Sequence, residues 1–203
     1  MAQLGRGEII RRLRERSLVV SPLLSSDQIG SASIDLRMGC VVLMVRARGA
    51  SHVDPAAAKQ AHASASPHKF ATEQQQKHER YEIPFGERFL LHPGSLALVP
   101  TYEWVKLPAD LTGSVTARST WAREGLSIAT ATLIEPLYHG IVTLELANLG
   151  QIPIALYPGI RLAQLSFVTT VGDAKRPSQA QFNLSFEPRQ GNVVGRADEP
   201  FIP

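Results

Sequence analysis

Residues 91–126 read LHPGSLALVPTYEWVKLPADLTGSVTARSTWAREGL, and this stretch indicates the fold class. Short apolar runs alternate in it with turn sequences, at 92–94 (HPG) and at 106–110 (KLPAD). Glycine and proline beside such runs are typical of strands joined by turns. Many short strands at near-regular spacing predict an all-β sandwich or barrel. The strand–helix alternation of Rossmann and TIM folds does not appear in the sequence.

The same pattern continues on both sides of this stretch. Near the N-terminus, Ile9, Ile10 and Leu13 lie among charged residues, which predicts a short amphipathic helix over 7–16. Elsewhere the short apolar runs predict strands at 40–46, 88–91, 95–100, 112–118, 126–131, 140–147, 152–156 and 161–169.

Two segments depart from the strand pattern within the single predicted domain, 1–203. Residues 49–80 are rich in Ala, Gln and His, and we expect an excursion from the barrel that is either partly helical, around 54–62 or 69–80, or simply mobile. Residues 170–203 form a polar, irregular C-terminal tail, either a disordered end or a lid over a ligand. The excursion holds four histidines whose spacing matches no metal-ligand pattern: His52, His62, His68 and His78.

Length and composition restrict the class of protein. The chain has 203 residues, of which 44% are hydrophobic and 19% charged, enough for one domain with a sizeable core. We expect neither a membrane span nor a secretory signal, because no apolar run is long enough. A net charge of +3 is too small to predict a nucleic-acid partner. The single cysteine, Cys40, rules out a zinc site of the nucleobase deaminases, and cytoplasm is the expected compartment.

The densest group of reactive side chains lies at 117–123 (ARSTWAR), where a predicted strand ends. Guanidinium groups donate paired hydrogen bonds, and a turning backbone exposes N–H groups, so this segment suits a phosphate or pyrophosphate. A structural salt bridge for one arginine is an equally consistent interpretation. The polar members of the group are Arg118, Ser119, Thr120 and Arg123.

Strand 140–147 carries a carboxylate in an apolar context. Alternation puts Val142, Leu144 and Leu146 on one face and Thr143 and Glu145 on the other. A carboxylate among apolar residues is costly unless it is paired or functional, so Glu145 is a candidate general base. Periodicity leaves a second interpretation open, in which Glu145 faces solvent on the outer side of the sheet.

Residues 30–39 (GSASIDLRMG) alternate charged and apolar side chains, which is typical of a strand entering the core. A buried ion pair between Asp35 and Arg37 that fixes this strand is the simplest interpretation. Neither a P-loop, nor a dinucleotide fingerprint, nor a hydrolase nucleophile motif occurs in the sequence.

Taken together, these segments resemble the dCTP deaminase / dUTPase family. The matching stretches are 30–39, 91–126, 134–150 (IEPLYHGIVTLELANLG) and 153–167 (PIALYPGIRLAQLSF). The resemblance covers most of the chain outside 49–80. It implies a distorted jelly-roll-like β-barrel of the dUTPase type, assembled as a homotrimer with active sites between subunits.

Two motifs resemble the deaminase branch more closely than the dUTPases. The deaminases have a glutamate in V-x-L-E that activates the water attacking C4 of cytosine, and residues 142–145 read VTLE. They also have R-S-S-L-A-R, and residues 118–123 read RSTWAR. The resemblance implies hydrolytic deamination of dCTP to dUTP and ammonia without zinc, with Mg²⁺ carried by the triphosphate. Glu145, Ser119 and Arg123 are the implied catalytic residues.

The resemblance also implies which residues contact the substrate. Arg118, Ser119 and Thr120 correspond to phosphate-binding residues. In the tail, an ungapped alignment puts Arg189 at the family's glutamine, and Gln190 follows it. The complete implied set is Arg118, Ser119, Thr120, Arg123, Glu135, Tyr138, Thr143, Arg189 and Gln190.

Three departures from the family pattern leave alternatives open. Glu135 stands where the family has an aspartate for the sugar 3′-hydroxyl, and the segment between Arg123 and Glu135 is shorter than in the family. Both departures motivate a bifunctional enzyme that also yields dUMP, or one that acts on a related pyrimidine nucleotide. The tail lacks the family's tyrosine and lysine, with Ser178 and Ser185 at those positions. This third departure motivates a non-catalytic, nucleotide-binding regulatory paralogue.

Overall fold

A computed structural model describes residues 2–46, 78–128, 133–172 and 187–188. The predicted N-terminal helix is present as α1 (Arg6–Arg14). A second, short helix, α2 (Ser119–Arg123), lies where the sequence predicted only a turn. The strands are β1 (Val19–Ser21), β2 (Ser33–Arg37), β3 (Val41–Val45), β4 (His78–Glu82), β5 (Phe89–Leu91), β6 (Leu96–Lys106), β7 (Leu111–Ala117), β8 (Leu126–Ile128), β9 (Leu133–Ile134), β10 (His139–Asn148), β11 (Ile154–Leu156) and β12 (Arg161–Thr169).

Across the described residues, the strands form three antiparallel sheets. The six-stranded sheet has the order β4-β3-β6-β10-β8, and β1 also pairs with β6. The four-stranded sheet has the order β2-β12-β7-β9, and β5 and β11 form a two-stranded sheet. The all-β prediction is therefore confirmed.

One hydrophobic core joins the two larger sheets and α1. Ile9 of α1, Leu36 of β2, Val99 of β6, Leu144 of β10 and Phe167 of β12 all have at most 1% of their surface exposed. Burying an apolar side chain of this size contributes roughly 1.5–3 kcal/mol relative to leaving it in water. This shared core holds the two sheets that carry the candidate site residues.

The longest strand, β6, continues beyond its predicted end at 100 and reaches Lys106. Its pairing with β10 shifts between Ile141 opposite Trp104 and Thr143 opposite Pro100. Three β6 residues, 101–103, therefore lie opposite the single residue Val142, which is a β-bulge. Pro100 lacks a backbone N–H and lies at the edge of this bulge. In the sequence, this proline therefore marked an irregularity within β6 and not the end of the strand.

The predicted excursion over 49–80 is wrong at its C-terminal end. His78 begins β4, which pairs with β3 from Val45↔His78 to Val41↔Glu82, so the helical alternative over 69–80 does not hold there. The sequence HERYE has no apolar face, but the free edge of β3 supplies its hydrogen-bond partners, and charged residues are common on edge strands. The remaining predictions for 49–77 and for most of 173–203 lie outside the described residues.

Candidate active site

The ARSTWAR segment leaves β7 and is anchored on the first residues of β12. The backbone N–H of Arg118 donates to the carbonyl oxygen of Leu162 at 3.0 Å. The indole Nε1 of Trp121 donates to the carbonyl oxygen of Arg161 at 2.8 Å. Because both bonds end on consecutive residues of β12, they fix the position and direction of α2.

The other end of α2 is fixed by a close backbone approach. Gly125 has φ +87, and a Cβ atom there would lie 2.7 Å from the backbone N of Gly150. The N–H of Leu149 donates to the carbonyl oxygen of Gly125 at 2.9 Å. Only glycine fits this position. The exposed Arg123, at the end of α2, is thereby held beside the turn that follows β10.

The Arg118 side chain lies against a buried carboxylate. Its Nη1 donates to Oδ2 of Asp35 at 2.6 Å, and the Arg161 Nη1 reaches the same oxygen at 3.3 Å. Gln164 Nε2 donates to Asp35 Oδ1 at 3.4 Å. The Asp35 side chain is 10% exposed and that of Arg118 is 32% exposed. Arg118 therefore takes part in a structural ion pair while about a third of its side chain stays exposed.

The predicted ion pair between Asp35 and Arg37 is wrong, because the two residues have different partners. Arg37 lies beside Glu103, with Nη1 to Oε1 at 3.4 Å and its backbone N–H to Oε2 at 2.7 Å. Gln28 Nε2 also donates to Glu103 Oε1, at 2.6 Å, and Gln28 Oε1 accepts a short hydrogen bond from Arg37 Nη1. Burial raises the pKa of Glu103, although these hydrogen bonds act in the opposite direction.

Glu103 was missed by the sequence analysis. The available signal was an acid between two aromatic residues in the strand sequence TYEWV. Glu103 is fully buried, and the Thr101 hydroxyl donates to its carbonyl oxygen at 2.7 Å. The same hydroxyl oxygen accepts from the backbone N–H of Val142 at 2.9 Å, so Thr101 replaces the β6 acceptor that the bulge removes.

Glu145 lies on β10, three residues beyond this bulge position. The predicted alternation is confirmed, because Val142, Leu144 and Leu146 are buried while Thr143 and Glu145 are half-buried on the opposite face. Glu145 is paired in register with Leu98 of β6. Glu145 therefore lies on the face of β10 opposite the buried side chains, beside Leu98.

The turn before β10 carries Glu135 and Tyr138. Glu135 is exposed and Tyr138 is half-buried. The Tyr138 hydroxyl donates a short hydrogen bond to the carbonyl oxygen of Ile141, and burial raises the pKa of that hydroxyl to about 12. Leu137, between them, has φ +64, a left-handed conformation that a side chain makes costly.

The predicted site residues fall into separate groups. Arg118, Ser119, Thr120 and Arg123 lie at α2, which follows the four-stranded sheet, whereas Thr143 and Glu145 lie on the six-stranded sheet. Strand β8 links the two groups, because it follows α2 and pairs with β10 from Leu146↔Ile128 to Asn148↔Leu126. Arg189 and Gln190 lie outside the described residues.

Within the ranges that the structure describes, no three His, Cys, Asp or Glu side chains lie together in a group that would hold a metal ion. No helix in those ranges is both long and apolar enough to span a membrane.

The chain is similar in sequence to known proteins over nearly its whole length. A family model described as dCTP deaminase-like matches residues 3–170. The curated dCTP deaminase of Haemophilus influenzae (strain PittEE) is 36% identical over 193 residues, which is 95% of each chain. The curated dCTP deaminase of Halorubrum lacusprofundi is 36% identical over 195 residues, covering 95% of this chain and 90% of the relative.

A solved structure is similar in fold. The crystal structure of 2′-deoxycytidine 5′-triphosphate deaminase from Agrobacterium tumefaciens superimposes with a TM-score of 0.60 at 24% identity. The match covers 83% of this chain and 48% of that chain, so this chain spans about half the length of the solved protein. This likeness agrees with the fold class that the sequence resemblance predicted.

Proposed function

Because the chain belongs to the dCTP deaminase family, we propose that it converts dCTP and water to dUTP and ammonia. Water adds at C4 of the cytosine base, the bond from C4 to the amino nitrogen breaks, and ammonia leaves. The observation that carries this proposal is the VTLE strand, which presents Glu145 half-buried on an outer sheet face. A carboxylate in that environment is suited to hold and return a proton.

Glu145 is the proposed general base. It takes a proton from the attacking water and later delivers a proton to the leaving ammonia, so the carboxylate is regenerated at the end of the cycle. Ser119 and Arg123 are proposed to orient the water and the base, and Thr143 lies on the same sheet face as Glu145. The chemistry needs no zinc hydroxide, because the carboxylate itself accepts the proton.

The triphosphate is proposed to lie at the start of α2. Arg118, Ser119 and Thr120 offer guanidinium and hydroxyl donors, which match phosphate oxygens rather than a cation. Mg²⁺ would therefore arrive bound to the triphosphate, where it neutralises phosphate charge. Glu135 and Tyr138 are proposed to face the sugar, and Arg189 and Gln190 of the tail are proposed to complete the nucleotide site.

A homotrimer with active sites between subunits is part of the proposal. The α2 group and Glu145 lie on different sheets of one chain, and Glu145 has the apolar Leu98 as its register partner on β6. Phe85 is 61% exposed and meets the exposed Tyr102 edge-on, with ring centroids 6.0 Å apart. Such a patch is typical of a surface that another protein covers.

The proposed compartment is the cytoplasm, in keeping with the single, half-buried cysteine, Cys40.

Light scattering tests the assembly. A trimer of the 22.1-kDa chain should give a mass of about three times that value. We expect Tyr102→Glu to lower the mass, because the added charge would be buried in the interface. A wild-type mass equal to one chain would contradict the trimer.

Incubation with dCTP and Mg²⁺, followed by ion-exchange separation of the products, tests the activity. We expect dUTP from the wild type, and loss of turnover by a factor of about 10² or more in Glu145→Gln with nucleotide binding retained. Glu82→Gln is the matched control, because Glu82 is an exposed glutamate paired with Arg80 at 3.3 Å. Undiminished turnover in Glu145→Gln would contradict the assigned base.

Two further measurements distinguish dCTP deamination from the two alternative functions, a bifunctional enzyme and a regulatory paralogue. Formation of dUMP with pyrophosphate would identify a bifunctional enzyme. Nucleotide binding in a thermal-shift assay, without turnover of any pyrimidine triphosphate, would identify a regulatory paralogue.

A further inference from the structure

Arg161 and Arg118 meet at the same buried carboxylate, Asp35. Arg161 is the first residue of β12, and its Nη1 reaches Asp35 Oδ2, the oxygen that also accepts from Arg118. Its side chain is 29% exposed, close to the 32% of Arg118. Two half-buried guanidinium groups therefore converge on one buried carboxylate oxygen.

The backbone places both arginines at the same point of the fold. The Arg118 N–H bonds to the carbonyl oxygen of Leu162, and Trp121 Nε1 bonds to that of Arg161 itself. The Arg161 Nη1 also donates to the carbonyl oxygen of Asp27 at 3.3 Å, which restrains the side chain from a second direction. The local charge is one carboxylate against two guanidinium groups, which leaves one positive charge uncompensated within this cluster.

We infer that Arg161 is a second phosphate-binding arginine and that Asp35 positions it together with Arg118 as a pair. The inference rests on the proposed function, in which Arg118 contacts the triphosphate. A carboxylate that takes one N–H from each guanidinium leaves their other N–H groups available to phosphate oxygens in a fixed geometry. Asp35 touches no substrate in this arrangement, so it is a positioning residue.

Binding of inorganic tripolyphosphate, measured by calorimetry, tests Arg161 without involving the base or its chemistry. We expect Arg161→Gln to raise the Kd for tripolyphosphate, and the KM for dCTP, by about tenfold or more, because a charge-assisted hydrogen bond is lost. Arg161→Lys should recover part of the loss, since it keeps the charge without the guanidinium fork. Unchanged Kd and KM in Arg161→Gln would overturn the inference.

The Asp35→Asn variant distinguishes two roles of Asp35: positioning Arg118 and Arg161, or only neutralising their charge. If Asp35 only neutralised the arginines, its removal would strengthen phosphate binding and lower the KM for dCTP. If it positions them, we expect the KM to rise while kcat at saturating dCTP stays within about twofold. A lowered KM would overturn the positioning role. Should Asp35→Asn fail to fold, Arg161→Gln still decides whether Arg161 binds phosphate.

Arg14→Gln is the matched control for loss of one arginine charge. Arg14 is exposed on α1. Arg12 of the same helix binds Asp110. Asp110 lies just before the first residue of β7, whereas Arg118 lies just after the last. Six residue steps of β7, from Leu111 to Ala117, separate those two ends by about 20 Å. Arg14→Gln should leave the Kd for tripolyphosphate and the KM for dCTP unchanged.

If the wild type bound tripolyphosphate but produced no dUTP, the proposed function would fail while the test of Arg161 remained valid.

Discussion

Leu137 is a single residue at which sequence and backbone conformation conflict. Leu137 has a left-handed backbone with φ +64, a conformation that glycine adopts without strain. A left-handed conformation costs a residue with a Cβ about 1–2 kcal/mol, and glycine avoids this cost. The turn is retained because its neighbours fix it: the Leu137 N–H bonds to Pro108 and the Tyr138 N–H bonds to Glu135.

A pair of variants at this position isolates the backbone effect. Leu137→Ala and Leu137→Gly both remove the leucine side chain, so the difference between them reports the conformation alone. We expect the glycine variant to have the higher free energy of unfolding, by about 1 kcal/mol, in urea titrations. The same pair at the exposed Leu149, whose φ is not positive, should show the usual order with alanine more stable. If the alanine and glycine variants had the same order of stability at Leu137 and at Leu149, the cost of the left-handed backbone at Leu137 would be contradicted.

At the scale of elements, the bulge between β6 and β10 connects the core to the candidate base. Thr101 accepts the Val142 N–H and donates to the Glu103 carbonyl, while the Glu103 side chain bonds to Gln28 and Arg37. These bonds fix where β10 resumes its pairing with β6. The direction of Glu145 follows from that register, because a strand shifted by one residue exchanges its two faces.

Thr101→Val tests this connection with a side chain of similar shape. We expect the free energy of unfolding to fall by about 1–3 kcal/mol, because a buried N–H of Val142 loses its acceptor. We also expect kcat for dCTP to fall, since the strand that presents Glu145 loses its restraint. Thr116→Val, at an exposed position of β7, is the control and should change neither quantity. Unchanged stability and kcat in Thr101→Val would show that the bulge does not depend on this hydroxyl.

At the scale of the whole molecule, α1 is joined to the sheets by charge as well as by its buried Ile9. The Arg12 Nη2 donates to Asp110 Oδ2 at 2.7 Å, and its Nε donates to Glu8 at 2.9 Å. The Arg12 bond lowers the pKa of Asp110. Hydrogen bonds from Arg11 and then Arg12 lower the pKa of Glu8 from its ordinary value of 4.5 to about 2.

Acid should therefore weaken the attachment of α1. A carboxyl whose pKa is lowered by folding stabilises the folded state above its ordinary pKa, and this contribution is lost as the pH falls through the folded value. We expect Arg12→Gln to be less stable than the wild type at pH 6, and the gap to close as the pH falls from about 4.5 to 2. Urea titrations across that range measure the gap. Arg14→Gln should show no such change of its stability with pH relative to the wild type. If the stability difference between Arg12→Gln and the wild type stayed constant with pH, titration of Glu8 and Asp110 could not be its cause.

The sequence by itself determined most of the longer strands, the alternation that places Glu145 opposite Val142 and Leu144, and the family. Each depends on local information: the two-residue period of a strand requires only the strand's own residues, and β12 was predicted with its observed bounds. The edge strand β4 was not predicted, because its residues have no apolar face and it is stabilised by pairing with β3.

Only the tertiary structure decided the partners of the buried charges. Asp35 pairs with Arg118, 83 residues away, rather than with Arg37 two residues away, and Gln28 meets Glu103 across 75 residues. A charge in a sequence has many possible partners of opposite sign, and local periodicity ranks none of them. The choice is made when strands distant in sequence are brought together and every buried polar atom must find a hydrogen bond.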